Sequence, residues 1–82
     1  MRIYDATRIY EGSVYDIFTE AVVVAESSEQ ARELLQELRD DLTRGGEDNY
    51  WEVECLGYFF YPEYTPVVEM VPKILLTNYN NG

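Results

Sequence analysis

Apolar residues recur at two different spacings along the chain, and the change of spacing separates strands from a helix. Residues 2–10 (RIYDATRIY) are rich in β-branched and aromatic side chains, which favour a strand. Residues 14–25 alternate between positions suited to burial and solvated positions such as Asp16 and Glu20, which indicates a second strand with one wet face. Residues 11–13 (EGS) are typical of a turn, so the pattern predicts an antiparallel hairpin.

The spacing changes to three and four residues in the next segment. Five apolar residues there form one stripe of a helix: Ala31, Leu34, Leu35, Leu38 and Leu42. Ser27 can cap the first amides of this helix, and Gln30 follows at the spacing of a capping box. Arg44 and the pair of glycines after it form a stop signal. The sequence therefore predicts one amphipathic helix from the Ser27 cap to Arg44.

Two further strands are predicted after the helix. Residues 50–60 (YWEVECLGYFF) alternate at their start, and Gly57 marks a bend or bulge. Residues 61–66 contain two prolines and are predicted to be a turn or an irregular crossing. Residues 67–77 (VVEMVPKILLT) are apolar enough for a fourth strand. Because Pro72 has no amide to donate, this strand is expected at an edge of the sheet or broken at the proline.

Together these elements predict an α+β fold: a small antiparallel sheet in the order ββαββ, with one amphipathic helix packed on one face. Residues 1–77 are expected to form a single domain and residues 78–82 a frayed tail. The order of the strands within the sheet is left open. The predicted core packs Leu34, Leu35 and Leu38 against Tyr15, Ile17, Val23, Trp51 and Val53.

Charge and composition exclude several classes of function. The 82 residues include 16 acidic and 6 basic side chains, for a formal net charge of −10, so free nucleic acid and anionic membranes should be repelled. There is no histidine, and the single cysteine, Cys55, is expected to face the core. These counts argue against a disulfide framework, a multi-cysteine metal site, a cofactor site and an enzyme. The chain lacks a long apolar stretch, so a cytoplasmic protein is expected.

Two acidic surfaces are candidates for binding a basic partner. On the predicted helix, four carboxylates lie opposite the leucine stripe: Glu33, Glu37, Asp40 and Asp41. On the sheet face away from the helix, strand alternation places a second group: Asp16, Glu20, Glu52 and Glu54, joined by Glu69 if the fourth strand keeps the pattern. Phe18 and Leu56 would share that sheet face, and self-association through them is an alternative.

Aromatic residues provide a third candidate surface. The chain has eight tyrosines, a residue type that is enriched at protein interfaces. Residues 58–64 (YFFYPEY) cannot all be buried in so small a domain. Tyr58, Tyr61 and Tyr64 are therefore expected to contribute to partner binding alongside the carboxylates.

The segment from Thr19 to Leu42 (TEAVVVAESSEQARELLQELRDDL) resembles the strand, serine cap and helix of small anti-CRISPR proteins. The small size, the negative charge and the tyrosine content are similar to those of anti-CRISPR and anti-restriction inhibitors of phages and mobile elements. The resemblance covers about a third of the chain. It implies a non-enzymatic inhibitor that blocks a basic nucleic-acid-binding surface of a CRISPR effector or nuclease in an infected or host cell. A self-associating scaffold subunit, and an immunity or antitoxin protein against a basic nuclease, are the alternatives.

Overall fold

The elements follow one another in the order that the sequence pattern predicts. The structure is a computed structural model that describes residues 1–12, 14–46 and 48–80. Its elements are β1 (Arg2–Arg8), β2 (Ile17–Ala25), α1 (Ser28–Leu35), α2 (Asp41–Arg44), β3 (Trp51–Tyr58), a 3-10 turn (Val67–Glu69) and β4 (Lys73–Asn80). The predicted α+β class and the ββαββ order are confirmed, with the helical part divided in two.

The four strands form one antiparallel sheet in the order β3-β1-β2-β4. The first two strands are central, and the last two form the edges. The fourth predicted strand does lie at an edge, and it begins at Lys73, directly after Pro72. The proline therefore stands where its missing amide is not needed for pairing.

The core lies between the sheet and α1. It is formed by buried side chains of three strands and of the helix: Tyr4, Ala6, Ala21, Val23, Ala25, Ala31, Leu35 and Trp51. Leu34 and Leu38 are half-buried against this cluster, as are Val53 and Ile74. Four of the eight buried members of this cluster are alanines, so small side chains make up half of the contact between helix and sheet.

The predicted single helix is wrong in its second half. Ser27 caps α1 as predicted, since its hydroxyl accepts a hydrogen bond from the Gln30 amide at 3.1 Å. However, α1 ends at Leu35, and the buried Asn49 side chain donates to the carbonyls of Leu35 and Leu38. The Leu35 carbonyl also accepts from the Leu38 amide at 3.1 Å, so the Asn49 side chain adds bonds to carbonyls of the last turn and of the segment after it, where helical carbonyls lack their i+4 partners. The chain then turns and starts α2 with Asp40 as its N-cap.

The predicted three-residue turn between the first two strands is also wrong. The connection from β1 to β2 runs from Ile9 to Asp16, because the Ile9 amide donates to the Tyr50 carbonyl at 2.8 Å and keeps the chain beside β3. Gly12 has the positive φ expected of a turn glycine, whereas Ser13 lies outside the described residues. Tyr15 falls in this connection and is exposed, so its predicted place in the core is wrong.

Two predictions fail near the sheet edges. The predicted frayed tail is wrong for residues 78–80, which continue β4, while residues 81 and 82 lie outside the described residues. Tyr79 pairs with Phe18, and their rings meet edge to face with centroids 4.9 Å apart. On β3, Cys55 is exposed rather than buried. The register shift opposite Ile3 and Tyr4 confirms the bulge expected beside Gly57, which has φ 145°.

Candidate functional site: the open face of the sheet

In the part of the chain that the structure describes, helices cover one face of the sheet, and the register identifies the residues of the other face. Asp5 of β1 lies between Glu54 of β3 and Val22 of β2. Thr7, two residues further along β1, lies between Glu52 and Glu20. The open face therefore carries carboxylates from three adjacent strands: Asp5, Glu20, Glu52 and Glu54.

The carboxylates form a field of like charge. Side chains on one face of a strand repeat every ~6.6 Å and neighbouring strands lie ~4.8 Å apart, so Glu54 is one step from both Asp5 and Glu52. Like charges directly opposite each other destabilise a sheet. Among the described residues, the ion pairs join Arg8 to Asp40 and Arg44 to Asp41, so no ion pair neutralises this field.

Two open grooves cross the face beside the carboxylates. The larger, of about 310 Å³, has Val22 and Leu76 on its floor and Asp5 and Glu20 on its walls. The smaller, of about 180 Å³, lies between β1 and β3 and is lined by Asp5, Thr7 and the two glutamates of β3. Carboxylates beside an apolar floor suit a guanidinium group, because its fork binds carboxylate oxygens and its flat face packs on apolar side chains.

A long crossover, residues 59–72, connects the two edge strands and borders this face. It is anchored at its start, where the Phe59 amide donates to the Met1 carbonyl at 3.0 Å. The Tyr61 hydroxyl donates to the Val71 carbonyl at 2.9 Å, and the Lys73 ammonium lies 5.6 Å from the centre of the Tyr61 ring. Val24, the register partner of Lys73, lies on the open-face side of β2 and is fully buried, so that end of the face is covered.

The rest of the crossover projects apolar side chains into solvent. Their exposed fractions are 85% for Phe60, 92% for Tyr64, 81% for Val67 and 82% for Val68. Tyr58 is also exposed, with the Arg2 guanidinium 5.7 Å from the centre of its ring. Of the three predicted binding tyrosines, Tyr58 and Tyr64 are accessible, whereas Tyr61 holds the crossover together through its bonds within the chain.

The sheet-face prediction is correct for three of its residues. Glu20, Glu52 and Glu54 lie together on the open face as alternation requires. Asp16 precedes β2 with φ 60°, and its amide and carbonyl bond to Asn80 and Asp41, away from the carboxylate field. Glu69 lies in the 3-10 turn rather than in a strand. Phe18 packs on the core side because a register shift between β2 and β4 interrupts the alternation.

The predicted acidic face of the helix does not form. Glu33 and Glu37 are exposed, but α1 ends before Glu37. Asp41 is half-buried at the start of α2 and forms an i,i+3 ion pair with Arg44 at 2.8 Å. Asp40 is buried and points away from any partner surface. Its predicted exposed position is wrong because capping of α2 turns it inward.

Asp40 instead closes a buried network beneath the two helices. Its carboxylate pairs with the Arg8 guanidinium at 2.8 Å and accepts hydrogen bonds from the amides of Phe18, Leu42 and Thr43. Burial by itself would raise the pKa of Asp40, but the hydrogen bonds from Arg8 and from backbone amides outweigh it and hold the pKa below its ordinary value. The Arg8 guanidinium also lies 5.4 Å from the centre of the Trp51 ring.

Sequence reasoning missed Asp5 and the exposed Val67 and Val68 of the crossover. The alternation of β1 contained the signal for Asp5, because Tyr4 and Ala6 are apolar and Asp5 lies between them. Val67 and Val68 gave no such signal, since an apolar run predicts burial unless the topology is known, whereas Phe60 belongs to the segment 58–64 that cannot all be buried. The exposure of the two valines follows from the crossing between opposite edges of the sheet.

The described residues contain no group of three or more metal-binding side chains. Within the same ranges, no helix is long and apolar enough to span a membrane. In comparisons with known proteins, no family model, no curated protein and no solved structure matches the chain. The candidate site therefore rests on geometry and charge.

Proposed function

We propose that this chain is a non-enzymatic protein inhibitor that covers a basic nucleic-acid-binding surface of a CRISPR effector or nuclease. Its open sheet face would take the place of nucleic acid, with carboxylates standing for phosphates. The observation that carries the proposal is the field formed by Asp5, Glu20, Glu52 and Glu54, which no ion pair among the described residues neutralises. The inhibitor would act in the cytoplasm of an infected or host cell.

The energetic cost of the field supports a role in binding. Asp5 and Glu54 are direct cross-strand partners, an arrangement that costs roughly 0.2–1 kcal/mol relative to neutral residues. A lysine or arginine partner would remove that repulsion on binding and would form charge-assisted hydrogen bonds with the same oxygens. Repulsion between these carboxylates thus lowers the stability of the free chain, and binding to a basic surface would remove that repulsion.

Charge and apolar contact would have separate roles in the complex. The net charge of −10 attracts a basic surface over long range and accelerates encounter. The exposed Phe60 and Tyr64 of the crossover would then provide large apolar contacts, which dominate affinity at many interfaces. This division predicts that carboxylate substitutions slow association, whereas crossover substitutions speed dissociation.

The test compares two neutralised variants with the same net charge. The sheet variant carries Asp5→Asn, Glu20→Gln, Glu52→Gln and Glu54→Gln. The matched control carries Glu26→Gln, Glu29→Gln, Glu33→Gln and Glu37→Gln, four exposed positions on or beside α1. Both are assayed with purified CRISPR effector complexes and basic nucleases for substrate binding and cleavage.

We expect the parent chain to block substrate binding by one of these enzymes and the sheet variant to lose most of that inhibition. The control should keep it, because its lost charges lie away from the open face. Equal losses in the two variants would show that net charge alone matters and that the open face is not the site. Inhibition that leaves substrate binding intact would contradict nucleic-acid mimicry.

A further inference from the structure

The two edges of the sheet differ in how they are protected. The β3 edge carries Glu52 and Glu54, and it is interrupted by the bulge beside Gly57. Charges and bulges are the usual means by which an exposed edge avoids pairing with another strand. On β4, residues 74–80 (ILLTNYN) contain no charged side chain, although the chain as a whole is strongly acidic. Register shifts interrupt the ladder of β4 as well, so it is the absence of charged side chains that leaves the β4 edge less protected than the β3 edge.

The backbone of β4 presents bonding groups outward. The carbonyls of Asn78 and Asn80 face β2, since they accept from the Thr19 hydroxyl at 3.2 Å and the Asp16 amide at 2.6 Å. Backbone groups of successive residues in a strand point to opposite sides, so Thr77 and Tyr79 direct theirs away from the sheet. The ladder has one register shift between Ile74 and Leu76 and another opposite Asn78 and Tyr79, where the extra residue belongs to β2, so residues 76–79 of β4 itself contain no extra residue.

We propose that a second copy of this chain pairs antiparallel with β4 along residues 76–79. An identical copy fits this edge because the strip lacks carboxylates, whereas pairing through β3 would bring Glu52 and Glu54 of both copies together. Leu76 and Tyr79 are 67% and 42% exposed, and pairing would bury part of their apolar surface against the second copy. A two-fold axis makes such a contact self-complementary.

The pairing would produce a continuous eight-stranded sheet. Because the two-fold axis of an antiparallel pair of edge strands is perpendicular to the sheet, both open faces would lie on the same side. The acidic fields of the two copies would then form one surface of doubled length. The dimer itself does not depend on the proposed inhibitory function, whereas this consequence does.

Self-association can be measured on the purified chain alone, by sedimentation velocity and light scattering. Chain concentrations of up to about 0.1 mM are sufficient to detect a micromolar dissociation constant. We expect a species of twice the 9.6 kDa chain mass. Its fraction should rise with salt from about 0.1 M to about 1 M, as the Debye length falls from ~10 Å to ~3 Å and screens the repulsion between copies. Binding of a basic partner should weaken over the same range.

Substitutions of Thr77 separate the contribution of its backbone amide to dimerisation from that of its side chain. Thr77→Pro removes an outward amide that pairing within the chain does not use, and we expect the dimer dissociation constant to rise about ten- to hundredfold. Thr77→Val keeps the amide and a β-branched side chain, so it should dimerise as the parent does. Circular dichroism and thermal unfolding verify the fold of each variant.

A second variant, Leu76→Lys, covers the case in which the proline variant does not fold. It replaces an apolar contact by a hydrated charged side chain at the edge, which is the usual protection of an edge strand against pairing, and should also yield monomers. A parent chain that is monomeric at the highest concentration and salt would overturn the proposal. A dimer that tolerates Leu76→Lys but is lost with Phe60→Ser would also overturn it, because self-association would then reside in the crossover.

Discussion

The carboxylates of this chain occupy two regions that differ in almost every physical respect. Asp40 has no exposed side-chain surface, pairs with a buried arginine and accepts several backbone amides. Asp5 and Glu54 lie opposite each other on an open face, and no ion pair among the described residues involves them. The carboxylates that contribute to the net charge of −10 therefore do not all have the same role. One carboxylate is part of the fold, whereas those of the open face are left for water or a partner.

The comparison explains why the same residue type has opposite effects on stability. A buried carboxylate is stable only where its hydrogen bonds and its counter-ion replace water, so the protein must keep all of them. An exposed carboxylate keeps its water and contributes mainly repulsion from its neighbours. Removing the first kind should weaken the fold, and removing the second should not. Substitutions in both regions test this difference.

The largest expected effect is that of Asp40→Ala. The substitution leaves the Arg8 guanidinium buried without its counter-ion and removes the N-cap of α2. Loss of one partner from a buried ion pair costs about 3–5 kcal/mol, a large part of the stability of a small domain. Urea denaturation followed by circular dichroism should show that loss in the free energy of unfolding.

A double substitution controls for the buried charge. Arg8→Met with Asp40→Leu removes both members of the pair, so it should recover a substantial part of the stability lost in Asp40→Ala. If Asp40→Ala changes the free energy of unfolding by less than about 0.5 kcal/mol, as is usual at surface positions, then Asp40 does not have the structural role described above.

A smaller change in the free energy of unfolding is expected when the pH is lowered. Because the pKa of Asp40 is lower in the folded chain than in the unfolded chain, its charged form stabilises the fold above the unfolded value of ~3.9. That contribution is lost as pH falls through the folded pKa. Asp40→Asn lacks it, so the difference in unfolding free energy between parent and variant should shrink as pH decreases from about 5 to about 2. A difference that stays constant over this range would contradict the lowered pKa.

The two regions also differ in how far the sequence predicts them. Alternation along β2 and β3 was sufficient to place Glu20, Glu52 and Glu54 on one face, because the side-chain period of a strand is fixed. The helical period was not sufficient to predict that the Asp40 side chain is buried. Asp40 continued the pattern of an exposed helix face, but it becomes a cap once tertiary contacts end α1.

Long-range contacts account for the remaining errors. Asn49 ends α1 from a distance of 14 residues, and Arg8 binds Asp40 across 32 residues, so neither role can be derived from local pattern. The exposure of Val67 and Val68 likewise depends on strand order, which places the crossover between opposite edges. Local periodicity thus determines which residues share a strand face, but not where a segment is interrupted by a distant side chain.

The smallest expected effect, and the one with the reverse sign, is that of Glu54→Gln. The substitution keeps the shape of the side chain and removes the charge opposite Asp5. We expect the free energy of unfolding to rise by roughly 0.2–1 kcal/mol, measured by urea denaturation at low salt, where repulsion is least screened. Glu63→Gln, at an exposed position in the crossover, is the matched control and should leave stability within about 0.5 kcal/mol of the parent.

A double-mutant cycle isolates the repulsion itself. Asp5→Asn and Glu54→Gln each relieve the same unfavourable pair, so the double variant should gain less than the sum of the single gains. The coupling energy should decrease as salt increases, because the pair is partly exposed. Full additivity would mean that the two carboxylates do not repel each other. A loss of stability in Glu54→Gln would mean that Glu54 has a stabilising contact in the free chain, and Glu54 would then not be an unused charge for a basic partner to satisfy.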